Sequence, residues 1–241
     1  MIAELRPILR AKAALTAVML GVALVAGTAP AVAQGTRQPD KEEAAPDLAM
    51  IVAAEKGDLE GIAKAMRAGG SIATKDSRGR NALLAATYGN HVAAALFLMA
   101  AGSDVNAKDS QENSAFLLAA AEGYTDIVKL TLRSGADVKS TNRYGGTALI
   151  PAAHHGHVNV VRELLMTPIP VDHVNKLGWT ALLEAIVLGN GGAGHTEIVK
   201  MLVAAKANVN LADKDGVSPL AHARKRGFAD IVKILEAAGA K

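Results

Sequence analysis

Residues 142–165 read NRYGGTALIPAAHHGHVNVVRELL, a polar turn followed by two short apolar segments. Gly145 supplies the positive backbone φ that such a turn needs. Thr147 stands where a helix N-cap is expected, and Gly156 stands where that helix should end. Residues 158–165 carry Val and Leu at helical spacing, which predicts a second, amphipathic helix. The stretch therefore predicts a helix–turn–helix unit.

This unit recurs about every 33 residues, with further blocks opening at Asp76, Asp109, Asn175 and Asp213. Glu112 fills the place of the turn glycine in one block and predicts a looser turn there. Small polar residues that can cap the first helix follow each turn. They are Asn81, Ser114, Thr147, Thr180 and Ser218. One unit cannot bury its apolar stripe alone, so neighbouring units must complete each other's core.

The pattern resembles the ankyrin repeat, whose T-P-L-H segment is matched by residues 147–150 (TALI) and by Ser218-Pro219-Leu220. Residues 135–138 (GADV) match its closing segment. The resemblance implies an all-α fold, an ankyrin-repeat solenoid of about six helix–turn–helix repeats with short β-turn fingers over residues 46–241. The predicted repeats are approximately 46–75, 76–108, 109–141, 142–174, 175–212 and 213–241.

The N-terminal residues 1–33 have the pattern of a secretory signal peptide. Arg6, Arg10 and Lys12 precede an uncharged apolar run, and residues 31–33 (AVA) form a small-residue cleavage site. Cleavage after Ala33 would leave a flexible leader, 34–45, and a periplasmic or secreted protein without a membrane span. The alternative is an uncleaved membrane anchor.

Composition excludes several classes of function. The chain has no cysteine, so disulfides, thiolate zinc sites and a cysteine nucleophile are excluded. The net charge is +3, of which the predicted signal peptide carries +2 (three basic residues and Glu4), so the remainder is nearly neutral. The charge balance therefore gives no support to nucleic-acid binding. No cofactor motif is present.

The resemblance implies a monomeric, non-catalytic scaffold that binds another protein along its concave face. The residues carried over to that face come from the turn tips and the ends of the first helices. They are Arg78, Arg80, Tyr88, Gln111, Asn113, Arg143, Tyr144, His154, His155, Lys176, Trp179, Lys214, Lys225 and Arg226. Basic and aromatic residues dominate this set, which predicts a partner with an acidic surface.

Two other functions remain open at this point. His154 and His155 are adjacent and could hold a transition metal or a small ligand. An enzyme could be built around Glu184 and the glycine-rich insertion 188–195. Glu184 is expected at an exposed edge of its helix. The second helix of this repeat is expected to resume after the insertion, at Thr196. A phosphate cradle is disfavoured because the glycines lack the spacing of known nucleotide-binding loops.

Overall fold

The computed structural model describes residues 45–241, which form twelve α-helices in six consecutive pairs and no strand. Single backbone hydrogen bonds join neighbouring turns, as from Ser110 N–H to Arg78 O at 3.0 Å. This architecture confirms the predicted helical solenoid. The pairs are α1 (Pro46–Glu55) and α2 (Leu59–Arg67), α3 (Ala82–Tyr88) and α4 (Val92–Ala100), α5 (Ala115–Glu122) and α6 (Thr125–Arg133), α7 (Leu149–His154) and α8 (Val158–Leu165), α9 (Ala181–Val187) and α10 (Ala193–Ala204), and α11 (Pro219–Lys225) and α12 (Ala229–Ala237).

The pairs stack so that each helix contacts its equivalent in the next pair. First helices pack in the order α1, α3, α5, α7, α9 and α11, and second helices pack in the same way. Along the second helices, every repeat contributes at least one fully buried aliphatic side chain to the core, among them Ile62, Leu98, Ile127, Leu164, Leu202 and Leu235. Burial of each such side chain contributes about 1.5–3 kcal/mol. The apolar stripe of each pair is thus covered by its neighbours.

The acid or amide that opens each block organises the turn behind it. Asp109 Oδ1 accepts hydrogen bonds from the N–H groups of Gln111 and Asn113, at 2.8 and 2.9 Å. Glu112 between them adopts a positive φ of 61°, and its own N–H donates to Asp109 O. The looser turn predicted at Glu112 is therefore wrong, because the Asp109 side chain holds both flanking amides and fixes the left-handed residue.

Four of the five predicted caps are confirmed, and Thr147 is the exception. Asn81, Ser114, Thr180 and Ser218 each accept a hydrogen bond from the backbone N–H three residues on. After Thr147 the fourth residue is Pro151, which has no N–H to give to the Thr147 carbonyl. Ile150 N–H donates to that carbonyl instead, which tightens the turn and leaves Thr147 Oγ1 without a hydrogen-bond partner.

Imidazoles join several second helices to the first helix of the preceding repeat. In each case Nε2 lies at hydrogen-bonding distance from a backbone carbonyl at or near the end of that first helix. The pairs are His91 with Glu55 O at 3.1 Å, His157 with Ala121 O at 3.0 Å and His195 with His154 O at 2.8 Å. Buried carbonyls that a helix leaves open are thereby satisfied.

The signal peptide predicted over 1–33 lies outside the described residues, as does the leader up to residue 44. Both remain predictions. Within the described range, 45–241, none of the helices has the length and apolar character needed to cross a bilayer.

Candidate functional site

A groove of about 530 Å³ lies between the turn tips and the first helices of the third, fourth and fifth repeats, and we call it the central groove. Its walls come from three consecutive turns, and its floor comes from α5, α7 and α9. The lining residues are Gln111, Asn113, Ala121, Glu122, Asn142, Arg143, Tyr144, Gly146, Ile150, Pro151, His154, His155, Asn175, Leu177, Glu184 and Leu188.

Aromatic and aliphatic side chains form the rim of the central groove. Tyr144 and Leu177, from successive turns, are each 51% exposed, and Leu188 is exposed at the end of α9. The Arg143 guanidinium lies 4.7 Å from the Tyr144 ring centroid and donates a 2.7 Å hydrogen bond to the Tyr144 hydroxyl oxygen. These contacts hold Tyr144 in one orientation while its surface stays available to a ligand.

The floor holds a buried carboxyl group, that of Glu184. Glu184 is only 6% exposed, so the exposed edge predicted from the sequence is wrong. Its Oε1 accepts a 2.8 Å hydrogen bond from Asn175 Nδ2, and its Oε2 lies 3.5 Å from His154 Nδ1. Burial raises the pKa of Glu184 to about 7, against the lowering effect of the Asn175 hydrogen bond.

The two adjacent histidines lie at the same end of the groove. Their rings stack, with centroids 4.3 Å apart and planes 13° apart. The pKa of His154 is lowered, first by burial and then by the neighbouring His155 and His195. No group of three or more His, Asp or Glu within 45–241 is arranged to hold a metal ion. The geometry therefore gives no support to the metal-site alternative.

Of the fourteen residues predicted to bind a partner, the structure brings six together in the central groove: Gln111, Asn113, Arg143, Tyr144, His154 and His155. Arg80 does not belong on this surface. It is 3% exposed, and its guanidinium lies 2.9 Å from Glu55 Oε1 and 2.8 Å from Asp76 Oδ2. The prediction failed because Asp76, in the same turn, and Glu55, which the fold brings in from the end of α1, both bind the Arg80 guanidinium.

Several other predicted residues are exposed but use their polar atoms within the protein. Lys176 Nζ and Lys214 Nζ donate to the carbonyls of Arg143 and Lys176 in the preceding turns. Arg226 donates to the carbonyls of Val187 and Gly189. The remaining four lie outside the groove lining: Arg78 pairs with Glu55, Tyr88 donates to Asp109, Trp179 is half-buried and Lys225 is exposed.

The glycine-rich insertion packs on the scaffold. Helix α10 begins at Ala193, three residues before the predicted start, and so takes up part of the insertion. His195, which is 8% exposed, lies 3.0 Å from Asn190 Oδ1 through Nδ1. Only Leu188 of the insertion lines the central groove, and the lining contains no Ser, Thr or Lys beside Glu184. The groove lining therefore offers Glu184 no serine, threonine or lysine nucleophile.

Two features of the groove were not predicted from the sequence. Asn175 was read only as a turn residue, yet its Nδ2 holds Glu184 while its Oδ1 accepts from the N–H groups of Leu177 and Trp179. Leu177, on the rim, was not among the residues predicted to bind a partner. The sequence signal for the contact between Asn175 and Glu184 was their separation. Glu184 follows Asn175 by nine residues, which is about the length of one turn and the start of a helix.

Known proteins share this repeat. A model of three ankyrin repeat copies matches residues 116–193, and a single ankyrin repeat matches residues 177–214. YahD of Escherichia coli (strain K12), an ankyrin repeat protein, is 49% identical over 57 residues, which are 24% of this chain and 28% of YahD.

The similarity to solved structures is more extensive. An ankyrin repeat domain from Acinetobacter baumannii AYE is 53% identical with a TM-score of 0.77, over 80% of this chain and 98% of that one. The ankyrin repeat protein EF0377 is 33% identical with a TM-score of 0.75, over 79% of this chain and 97% of that one. The chain therefore belongs to the ankyrin-repeat family.

Proposed function

We propose that this protein is a non-catalytic scaffold that binds another protein in the central groove. Ankyrin repeats are typically protein-interaction scaffolds, and the fold itself does not select the partner. The observation that carries the proposal is the exposed rim of Tyr144, Leu177 and Leu188 around a groove of about 530 Å³. Tyrosine and arginine, here Tyr144 beside Arg143, are among the residue types that dominate binding energy at protein interfaces, and the exposed leucines add apolar contact area.

The charges of the groove define the partner more narrowly than the sequence did. Arg80, Lys176 and Lys214 are engaged within the protein, so they do not form a free basic stripe. Arg143 and Lys225 remain exposed. We expect carboxylates on the parts of the partner that face these two residues, while apolar side chains of the partner fill the groove between Tyr144 and Leu177.

The signal-peptide pattern supports a location in the periplasm or outside the cell, where the scaffold would act as a monomer after cleavage. The near-neutral charge of the chain beyond residue 33 favours a protein partner over nucleic acid. The absence of a nucleophile beside Glu184 in the groove lining favours binding over catalysis.

The test is affinity capture from a periplasmic extract with matched variants of the full chain. Tyr144→Ala and Leu177→Glu alter the rim, and we expect each to weaken capture of the specific partner by about tenfold or more. Met166→Ala is the control, because Met166 is 70% exposed and does not line the groove. Capture of the same proteins in the same amounts by all variants would contradict the proposal.

A further inference from the structure

The free oxygen of Glu184 carries an inference about what the groove recognises, and it rests on the proposed function. The Glu184 side chain is 8% exposed and lines the central groove. Its Oε1 is used by Asn175, but its Oε2 accepts no hydrogen bond from residues 45–241, and His154 Nδ1 stands 3.5 Å away. This oxygen is not among the buried atoms that lack a partner within 45–241, so it lies open to the groove, where a ligand can bind it.

We propose that Glu184 is the specificity residue of the groove and that it binds the ammonium group of a lysine side chain of the partner. A single free oxygen suits the compact charge of an ammonium group, whereas a guanidinium is best matched by both oxygens of a carboxylate. The aliphatic stem of a lysine would lie along Pro151, Leu177 and Leu188, as such stems do on apolar surfaces.

The other charged and titratable groups around Glu184 are compatible with a cation at this place. Arg143 stands at the rim, where its guanidinium is held on the ring and hydroxyl of Tyr144. The remaining groups belong to the groove, to its turns or to the elements packed on α9. In the groove they are Glu122, His154 and His155. Around it they are Lys176, whose Nζ donates to Arg143 O, His195 beside the His154 carbonyl, His222, whose Nε2 lies 2.7 Å from Asp213 Oδ2, and Arg226, which donates to Val187 O and Gly189 O.

Binding of an ammonium group would require the ionised form of Glu184. Because burial raises the pKa of this carboxyl to about 7, roughly half of the molecules at pH 7 would release a proton on binding. Affinity should therefore increase between about pH 6 and about pH 8. A purely structural role of Glu184 would produce no proton release on ligand binding.

The experiment selects peptides from a random phage-displayed library on the purified full chain at about pH 8. We expect the recovered peptides to share a lysine beside an apolar residue. Replacing that lysine by norleucine should weaken binding by about tenfold or more for the wild-type protein and hardly at all for Glu184→Gln, which keeps the acceptor for Asn175. Calorimetry in buffers of different ionisation enthalpy should find about 0.5 proton released at pH 7 for the wild type and none for the variant.

The outcomes separate this inference from the proposed function. A different outcome is that the selected peptides bind more weakly to Tyr144→Ala and yet share an arginine, share no basic residue or release no proton. Each of these results would overturn the lysine assignment and leave the binding scaffold intact. Recovery of no peptide that depends on Tyr144 would contradict both. The circular dichroism spectrum of Glu184→Gln must match that of the wild type. If replacing the lysine by norleucine weakened binding equally for the wild type and for Glu184→Gln, the lysine assignment would also be overturned.

Discussion

Replacing Glu184 by glutamine should change how the stability of the protein depends on pH. The folded carboxyl has a pKa of about 7, against an ordinary value of 4.5, because it is buried. That difference corresponds to about 3 kcal/mol between the two protonation states. The glutamine side chain cannot ionise, while its amide oxygen can still accept the hydrogen bond from Asn175.

The sign follows from proton binding. Between about pH 4.5 and about pH 7 the folded state binds the Glu184 proton more tightly than the unfolded chain does, so the stability of the wild type falls as pH rises. The lowered pKa of His154 acts in the opposite direction, and that residue is present in both proteins. Relative to the wild type, Glu184→Gln should thus gain about 3 kcal/mol between pH 4.5 and pH 8.

The assay is urea unfolding followed by helical circular dichroism at several pH values. Glu60→Gln, at an exposed site in α2, is the matched control and should leave the slope of stability against pH unchanged. A difference between Glu184→Gln and the wild type that stays constant from pH 4.5 to pH 8 would refute the reasoning. It would mean that Glu184 is not a buried titrating group.

Three further predictions concern the scaffold and the chain terminus. Arg80→Ala should lower the free energy of unfolding by about 2 kcal/mol, since it removes a buried guanidinium that bonds both Glu55 and Asp76, whereas the exposed Arg78→Ala should cost under about 1 kcal/mol in the same urea assay; equal effects would contradict a larger contribution from the buried Arg80. His195→Ala should lower the free energy of unfolding by about 2 kcal/mol and increase proteolysis of the insertion, because two hydrogen bonds are lost. An unchanged cleavage rate would argue against anchoring of the insertion by this residue. Mass spectrometry of the exported protein should find an N-terminus at Gln34, and a mature chain beginning at Met1 would show a retained anchor.

Most of the fold could be predicted from the sequence because its signals are local. Asn90 ends a first helix with a φ of 53°, as its tolerance of the left-handed region suggests. The errors arose where a neighbouring residue altered the usual hydrogen bonding of a helix N-terminus or of a turn. Pro151 removed the N–H on which the usual first turn depends, and Thr147 lost its cap. Asp109 held a turn in which glutamate replaces glycine.

The face of the solenoid that carries the central groove could be predicted from the sequence, but its charges could not. A repeat pattern shows which side chains point to the same side, and that placed Arg143, Tyr144 and His154 correctly in one groove. It does not show which charges are used between repeats. Glu55, which pairs with Arg80, and the Arg143 carbonyl that binds Lys176 belong to other repeats, so the sequence pattern overestimated the free positive charge.

The fifth and sixth repeats differ in which of two equivalent positions carries an acid: the residue that opens the repeat or the residue nine positions later, in the first helix. Asp213 and His222 stand nine residues apart in the sixth repeat, and the hydrogen bond from His222 lowers the pKa of Asp213. In the fifth repeat the equivalent places hold Asn175 and Glu184, so the acid has moved onto the helix and the opening residue is neutral. A scaffold that needed only to close this turn could use the acid–imidazole pair, in which both charges are compensated. The exchange instead leaves Glu184 Oε2 open to the floor of the groove, 3.5 Å from His154 Nδ1, where a ligand can reach it.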